Sequence, residues 1–187
     1  MPRIIKLLLL FVLIATPFIG SGQRFYQTKS GEVEFFSSAP LEDIEAVSNE
    51  GTAVWNIENG VISFKVAIRS FRFEKALMQE HFNENYMESE KYSEASFKGN
   101  VKGEIDLKST QEQNVNIQGE LTVHGVSRHR YISGTIKFTS DGKGLVLHAN
   151  FKVKCIDHNI KIPKLLWNKI GEVIDVSLKS QFKLITK

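Results

Sequence analysis

Few residues of this 187-residue chain could make or break bonds: five histidines, one cysteine and a basic corner. The histidines are His81, His124, His129, His148 and His158. A metal site needs ligands that converge, as two histidines do in HExxH on one helix. No pair here has metal-ligand spacing on one helix, and none sits in an HExxH pattern. His124 and His148 fall on the polar faces of alternating segments, where solvated imidazoles are expected. A serine nucleophile on a sharp elbow needs Gly-x-Ser-x-Gly, which the chain lacks. No inward pair of carboxylates stands out, and Asp175 opposes the apolar phase of its segment. Arg128 and Arg130 flank His129 at a hairpin corner. They could meet an anionic headgroup, but a basic surface turn is the simpler reading. Cys155 continues an apolar face and reads as a buried small hydrophobe. As the lone cysteine it has no partner for an internal disulfide. The chemistry that remains is that of the apolar faces themselves.

Those faces come from a period of two. Over residues 114–124, Val115, Ile117, Gly119, Leu121 and Val123 share one side, and Asn116, Gln118, Glu120, Thr122 and His124 the other. After Gly125 the alternation resumes with Ile132, Gly134, Ile136 and Phe138. Such alternation is a strand with one dry and one wet face. Two runs joined through a glycine corner predict a hairpin. The pattern recurs at 52–58, 61–68, 95–107, 145–155 and 173–185. Asn59-Gly60 and Ser140-Asp141-Gly142 mark tight turns.

Elsewhere the pattern breaks. A short strand, a Lys29-Ser30-Gly31 turn and a strand holding Val33 and Phe35 precede Pro40. Residues 41–47 read as a short helical turn. Past Ile68 the apolar phase moves to Phe71 and Phe73. Either a β-bulge absorbs the slip or the strand ends there. Met78, Phe82 and Tyr86 are four apart, which predicts a helix over residues 74–85. Leu165, Leu166, Trp167 and Ile170 suggest one or two helical turns.

The expected fold is all-β: an antiparallel up-and-down barrel of about eight strands with one or two short helices, closed because open edges aggregate. A two-sheet sandwich is the alternative. Gly99, Gly103, Gly119 and Gly134, with Ala149, fall on dry faces. A barrel of about eight strands is either filled by its side chains or holds one small ligand. Small inward residues would leave room for a long apolar molecule, held at about 25 cal/mol per Å² buried. They would equally serve only to let the sheet coil.

Residues 1–22 have the layout of a secretory signal peptide. Arg3 and Lys6 open it, an apolar run follows, and Gly20, Ser21 and Gly22 precede an expected cut after Gly22. The apolar run ends near Ile19, short of the roughly 20 residues of a spanning helix. Residues 23–187 then form one domain, periplasmic or secreted. Of 24 basic residues, loss of Arg3 and Lys6 leaves 22 against 21 acidic ones. That balance excludes the basic excess of a nucleic-acid binder.

Several motifs resemble the YceI-like family. They are Phe64-x-Val66-x-Ile68-x-Ser70-Phe71, Met78-x-x-His81-Phe82, and Tyr86-Met87-x-Ser89-x-Lys91-Tyr92-x-x-Ala95-x-Phe97-x-Gly99. Gly119-x-Leu121-Thr122-Val123-His124-Gly125-Val126-Ser127-Arg128 is the most specific of them. Ile156-Asp157-His158-Asn159-Ile160-x-Ile162-Pro163 is similar to that family's late-strand corner. The likeness departs at Ser93 and His129, where the family often has proline. It implies an extended lipocalin-like barrel that binds a polyisoprenoid or similar amphiphilic lipid. It carries over no catalytic set, and no cofactor or metal is expected.

On this reading the chain is an exported binding protein rather than an enzyme, acting in transport or storage. The tail of a polyisoprenoid, isoprenoid quinone or fatty-acid derivative would lie against Phe64, Val66, Ile68, Phe97, Val101, Ile117, Gly119, Leu121, Ile136, Phe138, Leu147, Phe151, Val176 and Leu178. Met78 and Phe82 on the helix, and Trp167, would close one end. Gly119→Phe is expected to fill the cavity. Transient contact with a membrane surface and a homodimer stay open; nucleic acid is not expected as a partner. The rivals are an enzyme on a calycin-like barrel acting on a lipid, an outer-membrane barrel, and a filled barrel acting through its surface.

Overall fold

The computed structural model describes residues 24–38, 40, 42–162 and 171–186. The expectations for residues 1–22 and for Trp167 lie outside them. The elements are β1 (Arg24–Ser37), β2 (Ile44–Asn56), β3 (Val61–Ala67), β4 (Arg72–Phe73), α1 (Ala76–His81), β5 (Glu94–Lys102), β6 (Gln113–Val123), β7 (Val126–Phe138), β8 (Gly144–Lys154) and β9 (Val173–Thr186).

Eight long strands pair in the order β1-β9-β8-β7-β6-β5-β3-β2, and β2 returns to β1. Every pairing is antiparallel. The sheet is therefore a closed barrel, and closure removes its edges. The two-residue β4 pairs only with the start of β2, through Ala46↔Phe73 and Val47↔Arg72. The alternation seen in the sequence becomes inside and outside. Lys65, Lys98, Glu120, Lys137, His148, Lys152 and Lys179 are all exposed. An outer face so charged is incompatible with the apolar band of a membrane barrel.

Three local expectations are corrected, and one left open is decided. Lys29-Ser30-Gly31 does not turn the chain. It is an irregularity inside β1, whose register against β2 jumps between Thr28, Gly31 and Val33. Pairing with β2 and β9 on either side holds the strand extended. Residues 44–47 are the start of β2, not helix, and bury Ala46 between exposed Glu45 and half-buried Val47. Of the two readings offered past Ile68, the strand end holds: β3 ends in a 3-10 turn at Ile68–Ser70 rather than bulging. There the Ser70 hydroxyl donates to the Ala67 carbonyl at 2.6 Å, and Phe71 and Phe73 leave for β4. Finally, β5 stops at Lys102 rather than at Leu107, because Gly103 turns the chain at φ 101°.

The predicted helix is shorter and changes type. α1 has six residues and is followed by a π-turn over Phe82–Tyr86. The Asn83 side-chain amide donates to the Gln79 carbonyl at 2.8 Å, taking an acceptor the ladder would use. The Met87 amide reaches back five residues to the Phe82 carbonyl at 2.9 Å. A five-residue repeat puts Met87 below Phe82 as well as Tyr86, so both face inward.

The barrel interior is not uniform. Around Trp55 and Ile136, both 0 % exposed, lie Val101, Val115, Phe138 and Leu145 in one close-packed cluster. The Tyr26 hydroxyl seals that end by donating to the Gly142 carbonyl at 2.7 Å, with its ring edge against Phe138. The half toward α1 is hollow.

Candidate functional site

The hollow half is a cavity of about 480 Å³, within the range of small-molecule sites. Strand residues Phe64, Val66, Phe97, Ile117, Leu121, Leu147, Phe151, Val176 and Leu178 line it with Ile68 of the 3-10 turn, and Met78 and Phe82 cover it. Each is an expected site residue, and the strand residues are brought to one space by their inward phase. Val101, Ile136 and Phe138 are elsewhere. They share that phase but lie in the packed half, against Trp55.

Gly119 is also displaced from its expected role. A Cβ there would stand 2.3 Å from the Lys98 carbonyl oxygen and 2.4 Å from Gly99 Cα. The residue lets two strands close up; it does not leave room for a ligand. Gly134 behaves alike, 2.4 Å from the His148 carbonyl oxygen. Gly103 lies in an open loop with nothing near it. Gly119 and Gly134 thus serve the close approach of neighbouring strands.

The cover is held by aromatic contacts. Phe82 stacks on Phe35 with centroids 5.3 Å apart, and meets Phe73 at 5.0 Å and Phe71 at 5.8 Å. Each such pair contributes about 0.5–1.5 kcal/mol beyond its burial. α1 itself buries no residue, so Phe82 is its anchor. Lys75, just before α1, donates to the Glu42 carboxylate. That contact raises the lysine above its usual value. Glu42, Lys75, His81 and Tyr86, with Ser37 and Ser96, place polar groups on a mainly apolar lining. Burial raises the Tyr86 phenol. Leu77 also lines the opening and is 61 % exposed.

Beside the cavity sits a polar junction that alternation did not foretell. His124 is buried, not solvated. With Gly125 it makes the two-residue turn between β6 and β7, at φ 49° and 70°, the form that matches strand twist. Its Nε2 is 2.8 Å from Glu88 Oε2, and its Nδ1 is 3.2 Å from the His158 carbonyl oxygen. His158, 0 % exposed, donates Nδ1–H to the Val126 carbonyl at 2.9 Å. Burial lowers its imidazole below the ordinary value, and Arg130 and Arg128 push the same way. Arg130 is not simply a solvated basic turn: it donates to Asp157 at 2.9 Å, which holds that carboxyl low. Tyr92 lies edge-on to His124 at 4.4 Å, where a Cβ on Gly125 would strike its ring. Glu88, His124 and Asn159 are the non-glycine residues with positive φ among those described. All three sit in this junction, where the surrounding bonds over-determine them.

Sequence reasoning missed Phe35, Phe73, Tyr86, Met87, Ile160 and Ile162 as lining residues. Phe35 was visible as an inward strand residue; Met87 needed the π-turn. Cys155 is buried in the lining, and burial pushes its thiol up to about 11. Among the described residues no three His, Cys, Asp or Glu side chains group to hold a metal. The arrangement can shelter an apolar chain and meet a polar end at its opening.

Known structures share this barrel. One is a polyisoprenoid-binding domain from Saccharophagus degradans implicated in plant cell wall breakdown. It has 13 % identity and a TM-score of 0.73 over 86 % of this chain and 98 % of that one. Burkholderia cenocepacia BcnA matches at 12 % identity and TM-score 0.67, over 81 % and 95 %. The Campylobacter jejuni YceI protein matches at 17 % and 0.56, over 75 % and 82 %. Among proteins of curated function none matches by sequence. The family model for the YceI-like domain matches residues 25–182, which spans all eight barrel strands, the cavity and its cover: the chain belongs to the YceI-like family.

Proposed function

We propose that the protein holds the tail of a long-chain amphiphilic lipid in the hollow half of the barrel, for transport or storage outside the cytoplasm. A polyisoprenoid, an isoprenoid quinone or a fatty-acid derivative has the required shape. The observation that carries this reading is the apolar cavity of about 480 Å³, closed at one end by the Trp55 layer and edged at the other by Glu42, Lys75 and His81. Each methylene buried there contributes about 0.8 kcal/mol. The polyisoprenoid-binding domain of like fold supports the same ligand class. Exposed Leu77 and Ile156, at the cavity end of the barrel, suit brief contact with a membrane surface during loading. Export rests on the signal-peptide pattern of residues 1–22.

Native mass spectrometry of the protein purified from its source cells, beside an organic extract, tests the reading. A discrete added mass, released by solvent and identified as an amphiphilic lipid, is expected. A bare protein that takes up none of the lipids offered would overturn it. N-terminal sequencing of the same material is expected to begin at Gln23; an intact Met1 start in the exported fraction would remove the cleavage.

A further inference from the structure

Phe64 of β3 and Phe97 of β5 are direct register partners, yet their rings spread apart. The Phe64 ring lies over Gly31 and Gly51, which face each other across β1 and β2. A Cβ on Gly51 would meet that ring at 2.6 Å, and one on Gly31 at 3.3 Å. The Phe97 ring lies over Gly99 and Gly119, which face each other across β5 and β6. There a Cβ would meet the ring at 2.6 Å and 2.8 Å. So each ring fills the place that two side chains would take. Together they sweep the inner wall from β1 to β6.

On β3 and β5 the lining of the cavity ends within one residue pair of these rings. Gly99 pairs with Ile62, and Ile62 pairs with Trp55 of the packed half. Phe64, Phe97 and Ile62 line the cavity; Trp55 and Val101 do not. A chain entering past α1 would run onto the two rings, with a close-packed layer beneath. We propose that Phe64 and Phe97 are the floor of the cavity and set the length of apolar chain it admits. This rests on the lipid-binding reading above and adds to it a specificity-determining pair.

The floor has a measurable scale. A phenyl ring has six carbons and an isoprene unit five, so removing one ring makes room for about one unit more. The probe is a homologous series of all-trans prenols differing by one isoprene unit, with binding read by native mass spectrometry and competition. The native protein is expected to bind best at one length and at least tenfold more weakly beyond it. Phe97→Ala and Phe64→Ala each move the best length up by about one unit. Phe97→Leu, which keeps most of the packing, gives a smaller shift in the same direction and covers a failure of the alanine variants to fold. Val66→Ala, nearer the opening, lowers affinity at every length without moving the best one. An unmoved maximum in the Phe97 and Phe64 variants overturns the floor, as does an equal shift in Val66→Ala. Absence of binding at every length overturns the lipid reading and the floor together.

Discussion

Glu88 Oε2 lies 2.8 Å from His124 Nε2, and both residues hold positive φ. The contact ties the segment after the cover to the β6–β7 hairpin. It also completes a chain of bonds that runs on through the His158 carbonyl to the turn after β8. Glu88→Ala removes the tie and leaves the buried imidazole one partner short. Because the Glu88 side chain is half exposed, solvent recovers part of the loss, and a cost of about 1 kcal/mol is expected. For a domain of this size that is a fall of roughly 2–4 °C in Tm. Thermal unfolding checks it, and release of a bound lipid is expected to quicken. Unchanged Tm and release would show the junction to be ornamental to the cover.

Gly119→Phe, which the strand pattern offers as a way to fill the cavity, is expected instead to break the wall. Even alanine brings its Cβ within 2.3 Å of backbone on β5, and backbone cannot step aside as a side chain end can. Overpacking of this kind costs typically 1–3 kcal/mol. Gly119→Ala should lower the unfolding free energy obtained from a urea titration by that amount, and Gly119→Phe should give little folded protein. A Gly119→Phe variant that folds and merely loses lipid binding would return Gly119 to the cavity lining.

The fold was legible because burial in a closed barrel writes itself as a period of two, and β6 to β8 carry that period almost unbroken. The remaining features come from interactions the period does not record. Val101, Ile136 and Phe138 have the same phase as Phe97 and Leu121. Which inward residues meet a void depends on depth along the barrel, and depth is set by strand register. His124 looked wet because its position in the alternation was outward. A turn residue is free of that alternation, and Glu88, Tyr92 and His158 close over it. The π-turn depends on one side-chain amide, Asn83, competing for a carbonyl, which a four-residue stripe cannot show.

Acid should loosen the same junction through His158. Its imidazole is held below the ordinary value, 6.5, chiefly by burial. At higher pH the folded and unfolded chains are both neutral there, and the full stability is present. As pH falls below that value the unfolded chain takes up a proton first, so stability is lost until the lower folded value is passed. Asp157, held low chiefly by Arg130, acts in a separate and more acid window below 3.8. Urea unfolding at pH 7 and pH 5 should therefore show a lower midpoint at pH 5. His158→Gln should shrink that difference. An equal difference in the variant would assign the acid sensitivity to other groups.

Cys155 tests how well the cavity lining is shielded. Its thiol is buried, and burial pushes it from 9.0 up to about 11. The thiolate is the nucleophile, and a rise of that size leaves about a hundredfold less of it than an ordinary thiol holds at pH 8. Alkylation should be slower, by less than that ratio, because the more basic thiolate is also the better nucleophile. Access through the cover slows it further. Iodoacetamide labelling of the native protein at pH 8 should be at least about tenfold slower than in urea. A variant that loosens the cover, Phe82→Ala, should recover part of the rate, since Phe82 is the anchor of α1 and reagent then reaches the lining. Desolvation by the walls would persist in that variant, so labelling stays slower than in urea. Rapid stoichiometric labelling of the native chain would mean that the lining opens to water far more often than its aromatic cover allows.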